Sequence, residues 1–164
     1  MSGPRSSVIP DLIDALVANL SVLLPTVTVC DGVPEVANSG AYLCVGVDDW
    51  DATNRPVDAA RSSIEWASAV SGMTGDESGS ITCVAWCQEG GTGQAKTVRD
   101  TVYAIHAATK ALLVAQLAAN PAAPLGVAGL WDVRVGGTDA LNQSSDQNGA
   151  AAVLRFPISF QARI

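Results

Sequence analysis

Apolar residues recur along the chain in two rhythms. Over residues 10–24, Leu12, Ile13, Leu16, Val17, Leu20 and Leu24 return every three or four positions, which predicts an amphipathic helix. Pro10 suits the first turn, where a missing N–H costs no hydrogen bond. Asp11 and Asp14 place negative charge at the positive end of the helix dipole, and Pro25 stops the helix. The same rhythm returns over residues 95–119. There Val98, Val102, Ile105, Thr109, Leu112 and Gln116 form one stripe, which Leu113 and Leu117 widen. Gly90, Gly91 and Gly93 precede this helix, Asn120 and Pro121 end it, and Pro124 forbids a restart.

Elsewhere the pattern is that of strands. Residues 26–30 and 42–47 are short apolar runs separated by the turn signals Asp31-Gly32 and Asn38-Ser39-Gly40. Residues 61–73 alternate, with Ile64 and Trp66 on one face, and residues 80–88 have strong β-propensity. The polar stretch 72–79 between them predicts the turn of an antiparallel hairpin. Residues 127–135 form a further strand. Residues 136–149, GGTDALNQSSDQNG, look like the longest polar loop, and residues 150–164 form the last strand. Pro157 inside that strand suggests a bulge or an edge position. Helix, strands, helix, strands predicts an α+β fold: a single mixed, mostly antiparallel sheet with two helices packed on one face. No linker interrupts residues 1–164, so one domain is expected.

Composition narrows the function. Nearly half of the 164 residues are apolar, enough for a real core. The net charge of −7 disfavours tight DNA wrapping and attraction to anionic lipid. The start of the chain lacks a basic segment followed by a long apolar run, so neither a signal peptide nor a membrane span is expected.

Residues suited to chemistry are few. His106 is the one histidine, and it lies in line with Lys96, Arg99, Tyr103 and Lys110 on one helical face. That face is either solvated or a basic stripe turned to an acidic neighbour or a phosphate. Cys30, Cys44, Cys83 and Cys87 sit among apolar residues and are expected to be buried, reduced thiols, with Cys83 and Cys87 on one strand face. The glycines before Lys96 miss the phosphate-loop spacing by one residue, which leaves only weak anion binding at the helix start. Asp48, Asp49 and Asp51 lack the regular alternation of a calcium loop. Trp66, Trp86 and Trp131 fall in predicted strands, where core packing is the default. Trp50, in the acidic loop, either anchors a partner or folds back on its own sheet. No catalytic group, metal or cofactor emerges.

Several segments carry a family likeness. PDLIDALVANLSVLL runs straight into TVTVCDGVP; YLCVGVDD ends in acids; SITCVAWCQEGG precedes KTVRDTVYAIHAATKAL; and AVLRFPISFQARI closes the chain. In this order the chain resembles the tail terminator proteins of long-tailed actinobacterial phages. The resemblance implies a virion protein, assembled in the host cytoplasm, that forms a homohexameric ring at the head-proximal end of the tail tube. Its partners would be copies of itself, the tail tube protein and the head–tail connector proteins. DNA would pass through the ring without specific binding, and no membrane would be involved.

A head-to-tail ring needs two unlike, complementary patches on each subunit. The candidates are the acidic loop of Asp48, Asp49, Trp50 and Asp51 and the basic helical stripe of Lys96, Arg99, Tyr103, His106 and Lys110, with Arg55 and Arg61 as further interface residues. Asp139 and Asp146, in the predicted 136–149 loop, are further contact candidates. Alternatives are a head-closure or neck subunit, a small enzyme using a cysteine or the acidic cluster, and a ligand-binding module with Trp50 over a pocket.

Overall fold

The computed structural model describes residues 6–34, 39–47, 59–66, 74–137 and 139–164. Helix α1 (Ile9–Leu23) is followed by strands β1 (Thr28–Asp31), β2 (Gly40–Val45), β3 (Ala60–Trp66) and β4 (Gly75–Gly90). Helix α2 (Ala95–Ala119) and a 3-10 turn (Pro124–Gly126) lead to β5 (Leu130–Val135), β6 (Ala140–Asp146) and β7 (Gly149–Arg163). The fold is α+β, with the seven strands in one mixed sheet. Among the described residues only β1 and β2 run parallel; every other pairing is antiparallel.

The long antiparallel pair β4–β7 is the spine, in register from Asp76 opposite Arg163 to Gly90 opposite Gly149. Each spine strand carries two shorter strands end to end on its outer side. β3 pairs residues 75–81 of β4 and β2 pairs residues 83–88. On β7, β6 pairs residues 149–155 and β5 pairs residues 158–162. One half of the sheet therefore reads β1-β2-β4-β7-β6, and the other reads β3-β4-β7-β5.

Successive strand side chains point to opposite faces. Ile81, Cys83, Ala85 and Cys87 of β4, with Leu154, Phe156, Ile158 and Phe160 of β7, join one apolar cluster. The buried positions of both helices enter the same cluster: Leu12, Leu16 and Leu20 of α1, and Val98, Val102, Ile105 and Leu113 of α2. Each fully buried leucine contributes about 1.5–3 kcal/mol of transfer free energy. Thr109 interrupts the α2 stripe, and its hydroxyl donates to the Ile105 carbonyl, so the buried oxygen is satisfied. The alternate residues of the sheet form a second, smaller cluster of Tyr42, Cys44, Val47, Val84, Trp86 and Val153. In it the Tyr42 and Trp86 rings lie 4.8 Å apart.

The start of α1 is held from across the fold. Val8, at the N-cap, has no side-chain cap of its own. Glu77 of β4, buried, accepts hydrogen bonds from the Val8 N–H at 2.8 Å and the Ser7 hydroxyl at 2.7 Å. The Ser7 oxygen in turn accepts the Ile9 N–H. A carboxylate is thereby placed at the positive end of the helix dipole.

Three expectations need correction. The stretch 72–79 is not all turn, because Gly75 to Gly79 belong to β4 and are paired on both sides. Glycine is required there: a Cβ on Gly79 would lie 2.2 Å from the Arg61 carbonyl oxygen and 2.9 Å from Phe160. The polar stretch 136–149 is not a loop, since Ala140–Asp146 forms β6 in a hairpin with β7. Its side chains are mostly exposed, so no apolar alternation marks it. Pro157 lies at neither a bulge nor an edge strand. It falls in the gap between β6 and β5 along β7, where a missing N–H breaks no ladder bond.

Candidate functional site

Helix α2 positions the predicted basic stripe. Lys96, Arg99, Tyr103 and Lys110 are exposed, while His106 is mostly buried. The stripe also carries its own acid: Asp100 pairs with Lys96, and Arg99 Nε lies 3.8 Å from the Asp100 carboxylate. The Lys96 hydrogen bond holds the Asp100 carboxyl below its usual value. The stripe is thus partly neutralised, and exposed pairs of this kind contribute little to stability. β6 runs beside α2: the Gln143 amide donates to the Ala95 carbonyl at the helix start, and Asp139, just before β6, lies beside the middle of the stripe. The His106 Nε2 approaches Asp139 Oδ2 at 3.4 Å, and the His106 ring stands edge-on to Phe156 with centroids 4.9 Å apart. His106 and Asp139, far apart in sequence, are therefore brought together, with the His106 Nε2 itself buried.

The remaining candidates do not converge there. Asp146 holds the β6–β7 turn: its Oδ1 accepts the N–H groups of Asn148 at 2.7 Å and Gly149 at 3.1 Å. That is a structural role rather than a contact. Arg61 is exposed on β3. Asp48, Asp49, Trp50, Asp51 and Arg55 lie outside the described residues.

The tryptophans divide differently from the expectation. Trp86 is buried, with 2% of its surface exposed. Trp66 and Trp131, expected in the core, are 58% and 49% exposed. Trp66 ends the edge strand β3 opposite Gly75, whose missing side chain leaves the indole a flat seat. Trp131 sits where the β5–β7 register shifts between Leu130 and Asp132, which turns it out of the alternation. Among the described residues, β3 pairs only with β4 and β5 only with β7. The β3-β4-β7-β5 half of the sheet therefore ends in two unlike edges, each bearing an exposed indole.

A third surface lies where the helices end. Val22 and Leu23 of α1 and Val114 of α2 are exposed. A mostly apolar groove of about 550 Å³ is lined there by Ala18, Asn19, Val22, Leu23, Pro25 and Leu112. By length and composition alone, α2 is long and apolar enough to cross a membrane. Its buried stripe nevertheless packs on the sheet, and much of its outer face is alanine.

The buried thiols are poor nucleophiles. Burial pushes Cys83 up to about 12 and raises Cys87, where Glu89 adds to the effect. Both stay protonated near neutral pH, when the thiolate is the reactive form. Among the described residues no group of three His, Cys, Asp or Glu side chains comes together to hold a metal ion.

No protein-family model matches this sequence, and no curated protein matches it. The candidate surfaces thus rest on the geometry of this chain. Sequence reasoning missed Trp66 and Trp131 as surface residues, along with the apolar groove. The alternation of residues 61–73 put Trp66 on the face of Ile64, but nothing in it said where cover from the helices stops.

Proposed function

We propose that this chain is a structural subunit of a phage virion, a tail terminator that caps the head-proximal end of the tail tube as a homohexameric ring. The observation that carries this is the pair of unlike sheet edges at β3 and β5, unpaired among the described residues, each with an exposed tryptophan. Bare edge strands template pairing with other chains and are costly to leave open. Two different edges on one rigid sheet meet the requirement of a head-to-tail contact, which closes into a ring when the rotation per subunit allows. Tryptophan is also enriched among the residues that anchor protein interfaces.

The order of elements and the segments that resemble tail terminators point the same way. An acidic ring suits a DNA conduit, because phosphate slides past a wall that does not pair with it. In this function the ring stops tube polymerisation and offers the head connector its docking surface. The α2 stripe and the groove at the helix ends are the remaining surfaces for the tube protein or the connector.

The test is a polymerisation assay with purified tail tube protein. Adding the chain in substoichiometric amounts should stop tube growth and leave tubes bearing it at one end. Tubes that grow to the same length and carry none of it would exclude a terminator. Binding to head connectors but not to tubes would assign the chain to the neck instead.

A further inference from the structure

We infer that Cys30 and Cys44 form a reversible disulfide that staples the edge strand β1 to β2, an oxidation site independent of the proposed virion role. β1 and β2 run parallel, with Cys30 directly opposite Cys44 in register. Neighbouring strands lie about 4.8 Å apart, within the Cα separation of about 4.4–6.8 Å that a disulfide spans. The side chains also point the right way: the two sulfurs are 3.5 Å apart. Closing the bond needs the sulfurs to approach by rotation about the side-chain bonds, not a change of strand pairing.

The two thiols differ in a manner that sets the order of steps. Cys30 is only partly buried and belongs to the shortest strand, at the end of the sheet. Cys44 is buried beside Val84, Trp86 and Tyr42. The side-chain contact between the two sulfurs lowers the pKa of Cys30, and the same contact together with burial raises that of Cys44. Cys30 is therefore the attacking thiol and Cys44 the resolving one.

The oxidant is a small-molecule disulfide. Cys30 loses its proton to water, its thiolate attacks one of the small disulfide's sulfurs, a mixed disulfide forms, and the first small thiolate leaves and takes a proton from water. Cys44 then loses its proton to water and attacks the Cys30 sulfur, expelling the second small thiolate, which takes a proton from water. Two protein thiols and one small disulfide become one protein disulfide and two small thiols, so electrons and protons balance. Cys83 and Cys87 take no part. Both are buried in the core on the helix side of the sheet.

The experiment treats the folded, fully reduced chain with oxidised glutathione, then blocks the remaining thiols and maps peptides by mass spectrometry. Two of the four free thiols should disappear. A peptide pair linked through residues 30 and 44 should appear, with no glutathione left on the protein. The Cys44→Ala variant should instead keep one glutathione on Cys30, because the resolving thiol is gone. Four unchanged thiols, a lasting glutathione adduct on the wild-type chain, or covalent dimers through Cys30 would each overturn the inference. Should Cys44→Ala fail to fold, the wild-type cross-link map decides alone.

Discussion

Replacing Glu77 with alanine should destabilise the fold far more than any surface acid does. Its carboxylate is 1% exposed and accepts two hydrogen bonds at the start of α1, from Val8 N–H and the Ser7 hydroxyl. Alanine leaves the buried Val8 N–H without an acceptor, at a cost of about 1–3 kcal/mol. Loss of the Ser7 bond adds about 1 kcal/mol, and loss of a negative charge at the helix start adds about 0.5 kcal/mol. Removing a buried carboxylate also relieves its own desolvation, which offsets part of the sum. The net loss expected is ~2–3 kcal/mol, or a fall of about 5–10 °C in melting temperature for a chain of this size. Urea unfolding followed by tryptophan fluorescence measures it, with the buried Trp86 as one reporter. Glu77→Gln keeps one acceptor oxygen but turns an amide N–H toward the other donor, so it should fall between the two. A Glu77→Ala protein that unfolds within about 0.5 kcal/mol of wild type would refute the cross-fold cap.

Exchanging both Trp66 and Trp131 for serine should cost less than about 1 kcal/mol of monomer stability, since both indoles are about half exposed. The same pair of changes should abolish ring-sized species in native mass spectrometry with tail tubes. Gly79→Ala should destabilise by about 1–3 kcal/mol by forcing a methyl group onto the Arg61 carbonyl and Phe160, and hydrogen exchange should show β3 opening first. The Asp76–Arg163 pair gives a pH signature. The Arg163 guanidinium, 2.9 Å away, holds the Asp76 carboxyl below its usual 3.8. Its folded value is lower than its unfolded one, so its stabilisation is complete above pH 3.8 and is lost as the pH falls through the lower folded value. Both groups are exposed and screened, so the difference in melting temperature between wild type and Asp76→Asn should be small at pH 7 and should shrink as the pH falls below 3.8. The chain oxidised between Cys30 and Cys44 should melt roughly 5–10 °C above the reduced chain, because the bond closes a loop in the unfolded state.

What could be read from sequence followed the strength of the local pattern. The bounds of α2 were legible because its apolar stripe is long and Pro121 ends it. The antiparallel β3–β4 pairing was legible from two β-rich runs, although β4 begins inside the stretch that looked like a turn. β6 was not legible: ALNQSSD is held by backbone pairing to β7 and buries almost nothing. At the candidate site, the alignment of Lys96, Arg99, Tyr103, His106 and Lys110 follows from helical spacing alone. The meeting of His106 with Asp139 depends on how α2 lies over β6, which no local pattern encodes. The same holds for Cys30 and Cys44. Cys83 and Cys87 looked like the close pair because they share a strand. The thiols that meet are opposed across two strands, and register between strands is a tertiary property.

The claim that this chain builds a cap from its own copies is tested most directly by electron microscopy of tail tubes incubated with it. Extra density at one end of each tube, averaging to a six-fold ring with sheets joined at the β3 and β5 edges, is the predicted result. Bare tube ends beside a dispersed, monomeric protein would contradict it.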